Sequence, residues 1–294
     1  MVNKIDMAAA QDSSIMTKRR PLKIIRPPSF SIAGFLRDFK GLWLYKDLLY
    51  TLSAHRVKVR YKQSVLGIAW AVLQPLSLML IYTLVFAVFA RIPTGGTPYP
   101  VMAFTGLLLW TLFSTALTSS TNGLVSHAHL VTKVYFPREI LPLTYVVAAL
   151  FDFAIAVVLL AVLMVYYHVA PTINLLYAIP IVLILTCFVT AMSLAFSALQ
   201  VRFRDVGVAM PLLLQLWMFA TPVVYPLSAV PQRFQSLYSL NPMVGVVDSF
   251  RTVVLNGTAP DLHGLGISAI LSIVLLPACY IYFKHVEATL ADVI

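Results

Sequence analysis

Beyond residue 64 the chain alternates long apolar stretches with short polar segments. Six of these stretches are candidates for crossing a membrane: 65–90, 99–121, 144–167, 175–200, 208–225 and 264–283. A helix of about 20 residues, rising 1.5 Å per residue, spans the ~30 Å hydrocarbon core of a bilayer. The pattern therefore predicts an all-α polytopic membrane protein with six transmembrane helices.

The residues before the first span form two further units, and a short one follows the last span. Residues 1–33 are polar, basic and interrupted by proline, which predicts a mobile cytoplasmic tail. Residues 34–63 predict an amphipathic interfacial helix followed by a basic segment beside the first span. The helix could instead pack on the protein's own cytoplasmic side. The transmembrane unit is then 64–283, and 284–294 form a cytoplasmic C-terminus. The apolar stripe of the predicted helix consists of Phe35, Leu36, Phe39, Leu42, Trp43, Leu49 and Tyr50.

Two connections between spans are long enough to hold structure of their own. Residues 122–143 are too polar and proline-interrupted to span, but they can form a short helix on the cytoplasmic face. Residues 226–257 hold two short helical candidates, with Asn241 as a cap and Pro242 in the first turn of the second one. That second candidate, 243–255, is apolar but too short to span, which predicts a re-entrant helical hairpin on the outer face.

Composition and charge place the chain in a membrane and give its orientation. Hydrophobic residues make up 60% of the 294 and charged residues 11%, which excludes an ordinary soluble domain. Thirteen of the 21 Lys and Arg precede residue 64. With both termini cytoplasmic, 18 of the 21 lie inside, as expected from the excess of positive residues in cytoplasmic loops. The net charge of +10 then favours anionic lipid headgroups over nucleic acid as a partner.

The residues that carry enzyme chemistry are scarce. The sequence contains no GxxxxGK[ST] phosphate loop, no HExxH, no CxxC and no GxSxG, so no catalytic residue and no metal site is predicted. His127 and His129 point to different faces of a helix. Cys187 and Cys279 lie in apolar stretches and are predicted as core residues. Asp152 is the one credible acid inside a span, and a hydrogen bond to a neighbouring helix is favoured over a substrate contact.

Four segments resemble the membrane subunit of type-2 ABC exporters for cell-surface polysaccharides, in particular the O-antigen and teichoic-acid permeases. They are RYKQSVLGIAWAVLQPL at 60–76, KVYFPREILP at 133–142, FRDV at 203–206 and NPM at 241–243. The resemblance implies two copies of this chain with two separate ATP-binding subunits, which bind the ATP and Mg. It also implies an interfacial helix, a cytoplasmic coupling helix and outer gating helices. The implied substrate is a polyprenol-linked polysaccharide such as O-antigen, and the location is the bacterial inner membrane.

Candidate site residues follow for the cytoplasmic side. The loop after the second span is hypothesised to dock in the ATPase and transmit its closure, since an aromatic anchor with a charged rim suits such an interface. Its residues are Lys133, Tyr135, Phe136, Arg138 and Glu139. The alternative is that they only shape a turn. Arg60 and Lys62 are hypothesised to meet the pyrophosphate of the substrate, because clustered cations suit that anion. Binding of ordinary headgroups is the alternative there.

The channel and its outer end give the remaining candidates. Six helices packed at ~8 to 10 Å leave no wide pore, so a conduit for a polymer should form between two copies. The resemblance implies that the first and fifth spans line it. Aromatic residues there could stack on sugars or simply face lipid. They are Tyr82, Phe86, Phe89, Trp217, Phe219 and Tyr225. In the outer hairpin, Arg233, Asp248 and Arg251 are hypothesised to fix a closed gate.

Other functions remain open on the sequence. The same topology suits a type-2 ABC permease for a lipid, drug or haem-like molecule. An ion-coupled carrier is less favoured because such carriers usually need several intramembrane ionisable groups. A membrane glycosyltransferase is the weakest alternative, since the sequence has no Asp-x-Asp pair for a metal-bound sugar nucleotide.

Overall fold

The computed structural model describes residues 41–62, 64–91, 96–134 and 136–287, and every regular element in these ranges is a helix. The predicted tail 1–33 lies outside the described residues, as do residues 34–40 of the predicted interfacial helix. The helices are α1 Lys46–Lys62, α2 Trp70–Tyr82, α3 Tyr99–Thr121, α4 Gly123–Ser126, α5 Ala128–Lys133, α6 Ile140–Tyr166, α7 Ala178–Arg202, α8 Asp205–Phe219, α9 Gln232–Tyr238, α10 Pro242–Arg251 and α11 Leu262–Glu287.

Four helices are extended by tighter or wider turns. A 3₁₀ turn, Trp43–Tyr45, leads into α1. A 3₁₀ turn, Gly67–Ala69, leads into α2, which continues as a π-helix over Thr83–Phe89. A 3₁₀ turn, Ile173–Tyr177, precedes α7. A π-turn, Thr252–Asn256, extends α10. The first and fourth apolar segments are therefore longer than their α-helical parts.

Five helical segments are long and apolar enough to cross a membrane, and they match five of the six predicted spans. They are Gly67–Phe89, Tyr99–Thr121, Ile140–Tyr166, Ile173–Arg202 and Leu262–Glu287. The bounds of the second span agree to the residue, and the others differ by no more than four residues. The apolar pattern alone was sufficient here because each stretch is bounded by polar or proline-containing segments.

The fifth predicted span, 208–225, differs from the structure. Helix α8 ends at Phe219, so it has 15 residues and a length of about 22 Å, which is short for a hydrocarbon core. Residues 220–225 leave the helix and include Pro222, whose ring disfavours helical geometry at the residue before it. Thr221 to Val224 are nevertheless buried. The chain therefore reaches the end of the bundle by a short helix and an irregular segment.

A buried arginine satisfies the backbone of that irregular segment. Arg251 of α10 donates from Nη1 to the carbonyl oxygens of Pro222 at 2.6 Å and Tyr225 at 2.9 Å, and from Nη2 to that of Val223. Its Nε donates to the carbonyl oxygen of Met102 in α3 at 3.3 Å. Irregular backbone at membrane depth is stable only where such donors replace water. Arg251 thus joins α3, α10 and the end of α8.

Helix α3 is the centre of the bundle. Its most apolar window is 78% buried, against 28% or less for the other four candidate spans. Phe104, Leu107 and Phe113 have no exposed surface, and α3 packs against α2, α6, α7 and α8. The middle of the described bundle is therefore filled with side chains.

The helices alternate between two ends of the bundle. We call the basic end the one formed by α1, residues 122–139, the turn between α7 and α8, and the last turn of α11. There Gln200 Nε2 donates to Asn122 Oδ1 at 3.3 Å. At the opposite end Tyr99 donates to the carbonyl oxygen of Val224 at 2.6 Å, and Asn174 donates to that of Gly257 at 2.7 Å. Both α1 and the end of α11 lie at the basic end.

Two predicted features of the connections are confirmed. The loop 122–143 contains two short helices, α4 and α5, and the segment 226–257 contains α9 and α10. The Asn241 side chain accepts a hydrogen bond from the Met243 N–H at 3.1 Å and caps α10, with Pro242 as its first residue. An asparagine followed by proline therefore marked this helix start correctly.

Helix α1 packs along α6, which differs from a helix lying flat on a leaflet. Arg56 donates to the hydroxyl of Tyr145, and Arg60 pairs with Asp152, so successive turns of α1 follow successive turns of α6. Asp152 is 12 residues, about 18 Å, from the start of α6. Each of the two arginines has a partner on α6, which gives a physical reason for this inclination.

Gly106 provides a test of the contact between α3 and residues 220–225. A Cβ on Gly106 would overlap the carbonyl oxygen of Val223 and crowd Nη2 of Arg251. We expect Gly106→Ala to lower stability by about 1–3 kcal/mol, because rigid backbone must move. The measurement is the midpoint of thermal unfolding in detergent. The matched control is Gly266→Ala in α11, which meets nothing within 4 Å. Equal midpoints for the two variants would contradict this contact.

Candidate functional site

A polar cavity opens in the half of the bundle next to the basic end. It has a volume of about 510 Å³, is half open and is lined by residues of α1, α2, α3 and α6. The α3 wall carries five hydroxyl side chains: Thr111, Ser114, Thr115, Thr118 and Ser119. Trp70 and Gln74 come from α2, and Asp152 and Phe153 come from α6. Aromatic, amide, carboxylate and hydroxyl groups therefore share one apolar-walled space.

The five hydroxyl residues lie on one face of α3 because they are spaced three or four residues apart. Apart from Pro100, they are the only residues of α3 that are not buried. The sequence analysis missed this row. The signal was available as Ser and Thr recurring at helical spacing within 99–121, a span whose other residues are mostly apolar.

Asp152 is held by two groups from α1. Arg60 forms an ion pair with Asp152 Oδ2, and the Tyr61 hydroxyl donates to Oδ1 at 2.6 Å. Burial, together with this hydrogen bond, raises the pKa of Tyr61 to about 12, so the hydroxyl stays protonated and donates at neutral pH. The prediction that Asp152 bonds to a neighbouring helix is confirmed.

The two predicted pyrophosphate contacts differ in position. Arg60 lines the cavity, and its side chain is 43% exposed even in its pair with Asp152, whose side chain is 15% exposed. Lys62 is exposed near the end of α1. The guanidinium of Arg60 is thus accessible from the cavity and already paired with the carboxylate of Asp152.

The predicted ATPase-docking residues fall into two groups. Lys133 is exposed at the end of α5, and Arg138 is half-buried. Phe136 and Glu139 are buried, with Glu139 only 2% exposed. Tyr135 lies outside the described residues. Lys133 and Arg138 have accessible surface, whereas Phe136 and Glu139 are covered by the protein itself, and the contact of these residues with an ATPase stays a prediction.

Glu139 belongs to an internal network with the end of α11. Lys284 Nζ lies 2.8 Å from Glu139 Oε2 and 2.8 Å from Glu287 Oε2, and Tyr280 donates to Glu139 Oε1 at 3.2 Å. Arg138 donates to the carbonyl oxygen of Glu287 at 3.0 Å. Burial raises the pKa of the Glu139 carboxyl, and the Lys284 ammonium opposes that shift. The network fixes the start of α6 to the last helix.

A second cluster at the basic end was not foreseen. The Arg56 guanidinium lies 4.1 Å from the Tyr145 ring centroid, and its Nη2 lies 2.8 Å from His127 Nε2. His127 Nδ1 is 2.9 Å from the carbonyl oxygen of Gly123. This geometry suits a neutral imidazole that donates from Nδ1 and accepts at Nε2. The cluster connects α1 to the loop containing α4 and α5.

Three of the six predicted channel aromatics, Tyr82, Phe86 and Trp217, pack against other residues inside the protein. The Tyr82 hydroxyl lies 3.7 Å from Met218 Sδ. Phe86 stacks on Tyr99 with centroids 6.4 Å apart. Trp217 is edge-on to Phe113 at 5.0 Å.

The remaining aromatics lie at the end opposite the basic end. Tyr225 donates to the carbonyl oxygen of Phe219 at 2.6 Å and is 3.2 Å from the Tyr238 hydroxyl. The rings of Phe89 and Phe219 are exposed, at 72% and 47%. Of the six, these two are therefore the ones available to an outside partner.

Of the three predicted gate residues, Asp248 and Arg251 lie one turn apart on α10 and attract each other electrostatically, whereas Arg233 lies on α9. Arg233 is exposed, with its guanidinium 4.6 Å from the Phe234 ring centroid. Asp248 is half-buried, and Arg251 is buried on backbone carbonyls. Ion pairs in the described ranges include those of Arg60 with Asp152 and of Lys284 with Glu139 and Glu287. Arg251 therefore supports the hairpin from inside.

The Glu139 network predicts a specific pattern of stability. We expect Lys284→Met to destabilise the protein by about 3 kcal/mol, because it leaves a buried carboxylate unpaired. Adding Glu139→Gln should restore part of that loss. The measurement is the thermal unfolding midpoint, with Lys133→Met at an exposed site as the control. Identical midpoints for the single and double variants would contradict the pairing.

Comparison with known proteins agrees with this architecture. The ABC-2 type transporter family matches residues 47–255. An O-antigen export system permease protein RfbA of Myxococcus xanthus is 35% identical over 261 residues, covering 87% of this chain and 99% of that protein. Two such RfbA proteins of Klebsiella pneumoniae are 28% and 27% identical, each covering 72% of this chain and 82% and 81% of their own lengths. The chain belongs to the ABC-2 type transporter family.

Proposed function

We propose that this chain is the membrane subunit of an ATP-driven exporter that moves a polyprenol-linked cell-surface polysaccharide, such as O-antigen, across the bacterial inner membrane. The observation that carries the proposal is the 35% identity to an O-antigen export permease along 99% of that protein's length. The polar cavity beside Arg60 supports it, since it offers hydroxyl and aromatic groups suited to sugars.

The conduit forms between two copies of the chain. Large side chains fill the bundle around α3, which leaves no room for a polymer within one copy. The first span is only 11% buried, and α8 also exposes apolar residues such as Leu212 and Leu216. These two elements can face a second copy, as the family resemblance implies. In this proposal α8 and residues 220–225 together make the sixth crossing.

Energy comes from two separate ATP-binding subunits. The sequence has no phosphate loop, so ATP and Mg are bound by those partners. Lys133 and Arg138 are proposed to meet the ATPase, together with Tyr135, which lies between them in the sequence. Glu139 acts from inside, because its network with Lys284 makes the loop and α11 move as one body. A rigid loop is needed to transmit closure of a partner.

The basic end faces the cytoplasm in this proposal, so both termini are cytoplasmic. Lys and Arg concentrate there, as cytoplasmic segments of membrane proteins do, and anionic lipid headgroups are their surrounding partner. Arg60 and Lys62 then lie where the lipid diphosphate of the substrate approaches.

The opposite end is the outer face. Helices α9 and α10 form a re-entrant hairpin that closes the conduit, with α10 held by Arg251 and α9 more exposed. Arg233 on α9 is the gate residue that remains free to move.

Leakage of a small sugar through the reconstituted permease without ATPase should rise in the Arg233→Ala variant. Unchanged leakage would contradict the role of Arg233 in the gate.

Deletion of the chain in its host tests the proposed function. We expect the surface glycan to disappear and its lipid-linked precursor to accumulate inside, because synthesis continues without export. Gel analysis of surface glycan and mass spectrometry of lipid extracts measure the two. Expression of the unaltered chain should restore the glycan. A glycan that persists without accumulation of precursor would contradict the proposal and favour a lipid or drug substrate.

The same strain tests the docking surface. Lys133→Glu reverses a charge at the proposed ATPase contact and should reduce the restored glycan severalfold. Lys46→Glu makes the same change at an exposed residue of α1 outside that contact and should restore the glycan fully. Equal restoration by both variants would remove Lys133 from the interface.

A further inference from the structure

The cavity between α1, α2, α3 and α6 has two chemically different sides. One side is the row of α3 hydroxyls, of which Thr115 and Thr118 lie one turn apart. The other side presents the Trp70 ring, which is 51% exposed, and the Phe153 ring. A sugar ring has apolar C–H faces that stack on aromatic rings and equatorial hydroxyls that exchange hydrogen bonds with Ser and Thr. The cavity matches both requirements at once.

A lipid-facing surface would not have this composition. The other accessible faces of the spans carry Leu, Val, Ile and Phe, such as Leu80 of α2, Val158 of α6 and Leu183 of α7. Polar groups at membrane depth cost free energy unless they have partners, so they concentrate along substrate and water pathways. The α3 hydroxyl row is therefore placed for a polar occupant.

The cavity holds a small group rather than a polymer. Its volume of about 510 Å³ lies within the range of about 300–1,000 Å³ of small-molecule pockets. It is bounded on one side by α3, which is buried against the rest of the bundle. A long polysaccharide chain is far larger than this volume, so the cavity can hold only a small part of it.

Arg60 relates this cavity to the lipid-linked end of the substrate. Its guanidinium lines the cavity and pairs with Asp152, and it is the part of that pair more open to water. A diphosphate offers a guanidinium several oxygens for bidentate hydrogen bonds, whereas Arg60 bonds to Oδ2 of Asp152 while Oδ1 accepts from Tyr61. Exchange of Arg60 from Asp152 to a diphosphate would leave the attached sugar next to Trp70 and the α3 hydroxyls.

We propose that this cavity, within one copy of the chain, binds the sugar residue adjacent to the diphosphate of the lipid-linked substrate. It adjoins the proposed conduit through α2, which lines the cavity, and it selects the lipid-linked end before the polymer is moved. The proposal rests on the proposed function, because it assumes a diphosphate-linked glycan as substrate.

Two probes separate sugar binding from diphosphate binding. One is a short-chain polyprenyl diphosphate bearing a single hexose, tested as glucose and as galactose. The other is the same polyprenyl diphosphate without sugar. Calorimetric titration of each probe into the full permease–ATPase complex in nanodiscs gives the affinities. The variants are Thr115→Val with Thr118→Val, and Trp70→Leu. The control is Thr186→Val in α7, whose hydroxyl bonds to its own helix at 2.7 Å.

The threonine pair and Trp70→Leu should each weaken binding of at least one sugar-bearing probe by about tenfold, as expected for the loss of two hydrogen bonds or a stacked ring. Binding of the sugar-free probe should stay within about twofold of the unaltered chain. Thr186→Val should change neither. Retained ATP hydrolysis and an unchanged unfolding midpoint show that the variants are folded.

The alternative outcomes are distinguishable. Equal weakening of both kinds of probe, or no weakening by the threonine pair and Trp70→Leu, overturns the sugar site while leaving the proposed function intact. Arg60→Gln should weaken all probes together. If the unaltered complex binds none of the probes, both the proposed lipid-diphosphate substrate and the proposed sugar site are contradicted.

Discussion

Backbone carbonyls that leave a helix inside a membrane must find donors within the protein, and this constraint shapes the far end of the structure. Helix α8 stops at Phe219, and the carbonyls that follow are met by the guanidinium of Arg251. Because Arg251 belongs to α10, the hairpin must lie against the end of α8. Gly106 must lack a side chain for the same reason, since Val223 occupies that space. The position of the proposed gate thus follows from hydrogen-bond satisfaction.

Charged groups that are removed from water must also find partners within the protein, and this requirement determines how the elements of the basic end meet. Asp152 and Glu139 are acids removed from water, and each is matched by a cation from another element, Arg60 of α1 and Lys284 of α11. Breaking such a pair costs more than the pair itself contributes, so these contacts fix how the elements meet. They tie both polar ends of the described chain to α6. The cavity lies where α6, α1 and the hydroxyl row of α3 converge.

Sequence reasoning succeeded where the signal is local. The hydropathy of the sequence predicted five spans correctly, and the Asn241–Pro242 pair predicted the start of a helix. The free-energy cost of an unpaired acid inside a span predicted that Asp152 is hydrogen-bonded. It failed where a property depends on distant partners. Nothing near Arg251 indicates that its donors reach residues 222–225, and nothing near Glu139 shows that α11 covers it. Tertiary packing decided both, whereas the α3 hydroxyl row was readable as a periodic pattern.

The central claim is that two copies of the chain meet through the first span and α8 and enclose the conduit between them. In a background with Cys187→Ser and Cys279→Ser, a bis-maleimide can test this at two sites of similar exposure, Leu84 at 52% and Leu183 at 60%. The account predicts covalent dimers in membranes for Leu84→Cys, with loss of export, and only monomers for Leu183→Cys on α7. Monomers at both sites, or dimers through Leu183→Cys alone, would contradict it.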